Sequence, residues 1–161
     1  DADGFDFIIC DSPAGIEKGA FLAMYFADKA VVVVNPEVSS VRDSDRILGL
    51  LASKTRRAEI GEGEVTAYLL LTRYSPQCVE NGEMLSITDV EEVLGLKTIG
   101  VVPESGDVLN ASNKGEPVIL EGESNAGQAY DDAVARLLGE QRPMRFTTLE
   151  KKGFFSKLFG G

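Results

Sequence analysis

The sequence contains no histidine, and its 161 residues include only two cysteines, Cys10 and Cys78. Without histidine, neither a His-ligated zinc site nor a histidine-based catalytic triad is expected. The two cysteines have no CxxC spacing; one lies in an apolar run and the other in a polar stretch. That pattern favours reduced thiols in a cytosolic protein over a disulfide framework. No apolar stretch is long enough to span a bilayer. The first residues show no signal-peptide pattern and the first residue is not Met. Positive charge is scarce: 16 Lys and Arg stand against 26 Asp and Glu, a formal net charge of −10. Such a surface as a whole repels nucleic acid and anionic lipid, so contact with either needs a local basic segment. The phosphate-loop pattern GxxxxGK[ST] is absent, and there is no internal repeat or low-complexity tract.

What is present is ordinary for a globular protein: 43% hydrophobic and 26% charged residues. The length suffices for one domain with a real core. The most informative stretch runs from Phe5 to Glu17. Phe5 to Cys10 is an apolar run bounded by Pro13 and Gly15, and it predicts a strand covered on both faces. Such a strand delivers Asp11 to the carboxyl edge of a sheet, where open α/β sheets bind ligands. An ionised carboxylate there suits a hard cation such as magnesium, which takes few protein carboxylates beside phosphate oxygens. Gly15 lets backbone approach a phosphate closely. On pattern alone Asp11 serves equally well as the cap of the next helix.

Further along, the apolar recurrence predicts a helix over 16–27 and a buried strand over 30–34, closed by Asn35-Pro36-Glu37. Ser39 or Ser40 is expected to cap a helix over 41–53. A surface loop is expected over 54–64, a third strand over 68–71, and a loop over 75–82. A short helix from Ser86 ends at Gly95; a fourth strand covers 98–102 and stops at Pro103. A short helix over 106–112 and a turn over 113–117 precede an amphipathic helix over 125–139. Strands alternating with helices imply an α/β fold, a mostly parallel sheet with flanking helices. The chain divides into a domain over 1–140, a linker over 141–150 and a separate segment over 151–161.

Asp11-Ser12-Pro13-Ala14-Gly15, with the apolar run before it, resembles the Walker B and second switch region of the deviant-Walker-A ATPases, the ParA/MinD family. The resemblance implies a P-loop NTPase fold of which this chain is the carboxyl-terminal part. The phosphate loop, its lysines and the first switch would then lie in an amino-terminal half outside the chain. It implies ATP and Mg2+ as cofactors, with Asp11 ordering the metal through water and Gly15 sensing the γ-phosphate as the two catalytic positions. Thr72, Arg73, Pro103 and Glu104, at two strand-to-loop junctions, would hold the base, and Glu37 would lie near the nucleotide. Arg42, Asp43 and Asp45 would face partners: a MinC-like inhibitor and a MinE-like activator. By charge pattern alone the same three residues are a solvated helix start, and the junctions are ordinary loops.

The last eleven residues, 151–161, place Phe154, Phe155, Leu158 and Phe159 on one arc of a helix, with Lys157 pointing away. Apolar anchors flanked by lysines fit a helix lying in a membrane interface; docking on the domain is the structural alternative. An eleven-residue peptide is too short for a stable helix in water, and at about 1 kcal/mol per basic residue a single copy binds weakly. The tail is similar to the membrane-targeting segment of the MinD branch. The function so implied is an ATP-dependent cell-division-site regulator. It is cytoplasmic and peripheral on the inner face of the bacterial membrane, binds an anionic membrane surface, and forms a homodimer in its ATP state. The intact protein is expected to hydrolyse ATP and the chain alone is not; no specific nucleic acid is expected. A ParA-like DNA-partition ATPase and a non-catalytic membrane-tethering module are the alternatives.

Overall fold

The computed structural model describes residues 4–13, 15 and 18–149. The chain forms α1 (Lys18–Tyr25), β1 (Lys29–Val34), α2 (Val38–Ser53), α3 (Arg56–Glu59), β2 (Thr66–Tyr74), α4 (Pro76–Glu80), α5 (Ile87–Leu94), β3 (Thr98–Pro103) and α6 (Gly106–Lys114). A 3-10 turn (Val118–Leu120) and α7 (Asn125–Leu137) come next. The three strands make one parallel sheet in the order β1-β2-β3. The expected α/β class is therefore present, with helices on both faces of a parallel sheet.

β2 is the central strand. Leu69 and Leu71 are fully buried and point, with Val32, Val34 and Val101, into a core shared with Val41 and Leu51 of α2 and Val90 and Leu94 of α5. Leu70 and Val102 point the other way, onto Ala126, Ala129 and Ala133 of α7. This second layer is thin because small residues line it. A Cβ on Gly100 would lie 2.6 Å from the Ala133 Cβ and 2.8 Å from the Leu70 Cδ1, so α7 rests directly on β3 backbone. The alternation of buried residues along the strands follows from the two-residue period of β structure.

The run from Phe5 to Cys10, expected as a buried strand, is not one. Phe5, Phe7, Ile8 and Ile9 are 66, 68, 74 and 92% exposed and belong to no sheet. A strand buried on both faces needs layers to cover it; the described residues place none over this run, and it bonds to neither outer strand of the sheet. It therefore does not deliver Asp11 to the sheet edge. Other differences are local. α2 begins at Val38, not after Ser39 or Ser40, because Val41 N–H already donates to Glu37 O at 3.0 Å, making Glu37 the cap residue. The loop over 54–64 contains α3, whose start is capped by the buried Thr55 side chain. The loop over 75–82 contains α4, capped by Ser75 with Pro76 at its first position. α5 has the expected Ser86 start, a reciprocal capping box with Asp89, and ends at left-handed Gly95.

Residues 141–149, expected as a linker, have no helix or strand but are held against α7 by arginines. Arg136 donates to the backbone oxygens of Arg142, at 3.0 Å, and of Pro143. Its Nη1 also reaches Ile99 O on β3 at 2.7 Å. Arg145 Nε donates to Asp132 Oδ2 at 2.6 Å, and its Nη1 to Gln128 Oε1 at 2.6 Å. Arg142 reaches Asp131 at 2.9 Å and Asp132 at 3.5 Å. Asp132 is 4% exposed, so its charge depends on these partners. The Arg145 hydrogen bond, followed by the charges of Arg145 and Arg136, holds its carboxyl below the ordinary carboxylate value against the opposing effect of burial.

A depressed carboxylate stabilises the folded state above its unfolded pKa, about 4, and loses that contribution as pH falls through the lower folded value. Asp132→Asn should therefore lower stability at pH 7 by about 1.5–3 kcal/mol, the range for hydrogen bonds to charged groups. The gap between variant and parent should narrow below about pH 4. Urea unfolding of both proteins across that pH range checks it; a gap independent of pH would show that the ion pairs contribute nothing.

Candidate functional site

In a parallel sheet all strands end at the same edge, so the residues just beyond β1, β2 and β3 converge there. Val34 and Leu71 are register partners, which places Asn35 beside Thr72 one step on. Thr72 Oγ1 donates to Asn35 Oδ1 at 2.9 Å and locks the two strand ends together. By sequence Asn35 is only part of a turn; its Asn-Pro position at a strand end is the signal for this role. Pro36 is fully buried, and its carbonyl accepts from Leu85 N–H at 3.0 Å, which fixes the loop leading to Glu37.

The end of β2 departs from regular geometry. The register shifts between Leu71 and Tyr74, so that Tyr74 pairs with Pro103. The intervening Arg73 has φ 55, the left-handed region that non-glycine residues rarely occupy. Such a conformation costs on the order of 1–3 kcal/mol, and such residues cluster where function requires them. The kink turns Arg73 outward, where its Nη2 pairs with Glu104 Oε1 at 3.2 Å. Glu104 is held in turn by its N–H donating to Tyr74 O at 3.1 Å. Thr72, Arg73, Pro103 and Glu104 thus stand together as one cluster, beside Asn35. Both members of the Arg73–Glu104 pair are more than half exposed, so the pair itself adds little stability. The cation, the carboxylate and the half-buried Pro103 stand side by side at this edge.

Glu37 is exposed at the start of α2, beside this edge. Arg42, Asp43 and Asp45 are exposed on the first turns of the same helix, and Arg46 pairs with Asp43 at 3.4 Å in full solvent. Asp11 and Gly15 are exposed and precede α1, outside the sheet. Gly15 has φ 99, and among the described residues nothing lies within 4 Å of its Cβ position. Phe154, Phe155, Lys157, Leu158 and Phe159 lie outside the described residues.

Phosphates need backbone N–H groups in a cradle and a cation. Among the described residues the loops 35–37, 72–76 and 103–106 hold no lysine, and no three acidic or cysteine side chains gather where a metal ion could be held.

A parallel sheet layered by helices, with its polar constellation at the carboxyl edge, is the architecture of a P-loop nucleotide-binding α/β domain. No protein-family model matches the chain. Its sequence is 64% identical over 157 residues to the septum site-determining protein MinD of Escherichia coli K12, covering 98% of this chain and 58% of that protein. The chain thus spans somewhat over half the length of the curated relatives it matches. Its fold resembles a chain of the MinC:MinD cell division protein complex of Aquifex aeolicus. That match has a TM-score of 0.74 and 40% identity, over 86% of this chain and 54% of the other. The fold alone is shared with septum site-determining protein MinD complexed with Mg-ADP from Pyrococcus horikoshii, at a TM-score of 0.63 and 23% identity, over 80% and 50% of the two chains. The chain belongs to the MinD family.

Glycine occupies φ near +55° without strain, so Arg73→Gly should leave stability within about 1 kcal/mol of the parent. Arg73→Val, branched at Cβ, should lower it by about 1–3 kcal/mol. Urea unfolding of the two variants separates backbone strain from the loss of the ion pair.

Proposed function

We propose that the chain is the carboxyl-terminal portion of an ATP-dependent, membrane-associated regulator of cell-division-site selection of the MinD type. The observation that carries the reading is the 64% identity to Escherichia coli MinD over almost the whole chain. In this reading 1–140 is part of the ATPase domain, 141–150 joins it to the tail, and 151–161 is the membrane-targeting segment.

Arg73, Pro103, Thr72 and Glu104 hold the adenine base at the sheet edge, and Glu37 lies near the nucleotide. Asp11 orders Mg2+ through water, and the Gly15 turn meets the terminal phosphate. Bound Mg2+ supplies charge neutralisation at the phosphates. Among the described residues the loops after β1, β2 and β3 hold no lysine; in this reading a further part of the longer protein supplies the phosphate cradle. Arg42, Asp43 and Asp45 form an exposed polar surface on α2 for a MinC-like inhibitor and a MinE-like activator. The protein works as a homodimer in its ATP state on the cytoplasmic face of the cell membrane. Phe154, Phe155, Leu158 and Phe159 enter the interface and Lys157 stays with the headgroups. Two tails in one dimer multiply a weak attachment. A DNA-partition role is opposed by the net charge of −10.

Sedimentation with anionic vesicles tests the tail: removing 151–161 should reduce bound protein by about tenfold or more, the loss of several buried apolar groups and lysines. Equal binding after truncation would remove the membrane reading. The purified chain should turn over no ATP; measurable turnover would show that it holds its own phosphate cradle.

A further inference from the structure

The sheet supports the β2 backbone only as far as Leu71. Val34 and Leu71 are the last register partners of β1 and β2, and β2 meets β3 again only at Tyr74. Thr72 and Arg73 lie between, without a register partner on either side. Arg73 nevertheless holds φ 55, a conformation that a residue with a side chain abandons unless its surroundings fix it. The Arg73–Glu104 pair is too exposed to do this. What remains is the partly buried hydrogen bond from Thr72 Oγ1 to Asn35 Oδ1, at 2.9 Å.

Asn35 is a firm mount for that bond. Pro36, which follows it, has a fixed φ and is fully buried, and a residue before proline is restricted to extended backbone. The Asn35 carbonyl accepts from Glu37 N–H at 2.7 Å, and the Pro36 carbonyl accepts from Leu85 N–H at 3.0 Å. Leu85 lies in the connection that begins at Ser75, whose own N–H donates to Met84 Sδ at 3.4 Å. The chain that leaves the turn at Tyr74 therefore comes back to the residue beside Asn35. The turn is tied on both sides to one short stretch: Thr72 directly, and Ser75 by way of Met84 and Leu85.

We propose that Asn35 is a positioning residue for base binding: by accepting from Thr72 it holds the left-handed turn that sets Arg73 against the base. Asn35 touches no ligand in this scheme and acts through Thr72. The base half of the statement rests on the reading above, in which Thr72, Arg73, Pro103 and Glu104 take adenine; the holding of the turn does not. A turn set in advance spares the nucleotide the cost of ordering it.

Two measurements test this. The first uses the chain without nucleotide. By NMR relaxation the Arg73 amide should have an order parameter of about 0.85, and Asn35→Leu or Thr72→Val should each bring it below about 0.6. Thr72→Ser, which keeps the hydroxyl, should restore the order that Thr72→Val removes. An order parameter equal in all four proteins overturns the holding role.

The second uses the longer protein of which, in that reading, this chain is the carboxyl-terminal part, with Mg2+ present. Asn35→Leu and Thr72→Val should each bind ADP about fivefold more weakly, the size of one hydrogen bond, and Thr72→Ser should recover most of the loss. Inorganic tripolyphosphate, which has no base, should lose no affinity. Added to Arg73→Ala, Asn35→Leu should cost less than about twofold more, because the residue it positions is gone. Equal losses of ADP and tripolyphosphate overturn the proposal, since they mark a general disturbance of the fold. A full further loss in the Arg73→Ala protein also overturns it. If Arg73→Ala weakens ADP binding and Asn35→Leu does not, the base reading stands and the positioning role falls. If Arg73→Ala binds ADP like the parent, the base reading falls and the positioning role with it, while the order parameters still decide whether Asn35 holds the turn.

Discussion

The structure depends on β2 being buried on both faces and bonded along both edges. Leu69 and Leu71 fill one layer and Leu70 the other, and neither layer has slack: α7 touches β3 at Gly100, where no side chain fits. A strand so enclosed cannot slide, because a one-residue slip exchanges the two faces. Its end is therefore fixed in space, and with it the edge where Asn35, Thr72, Arg73, Pro103 and Glu104 meet. The left-handed Arg73 is tolerated because the strand behind it is over-determined; local strain at a site is sustained by packing elsewhere.

The strands at 30–34, 68–71 and 98–102 were legible because each is a short apolar run rich in branched residues between turn signals. The starts of α5 and α6 were legible in Ser86 and Gly106, and the meeting of Thr72, Arg73, Pro103 and Glu104 could be placed because strand ends in such folds share one edge. Three features were not. Phe5–Cys10 has the composition of a buried strand, but burial belongs to the surroundings, and no neighbour among the described residues covers it. The kink at Arg73 carries no glycine or asparagine to announce it. The Asp132 clasp joins residues 10 to 13 positions apart through side chains alone, and hydrophobic periodicity does not register such contacts. The same blindness made 141–149 look like a free linker.

One open apolar surface in the described fold lies on the sheet itself. On β1, Val31 and Val33 are 39 and 58% exposed on the face that α7 covers only over β2 and β3. Like the apolar residues of the exposed run Phe5–Cys10, they are hydrophobic surface that no layer among the described residues covers, the character of core awaiting its own fold. The matched relatives are longer than this chain, so material exists in such proteins to cover it.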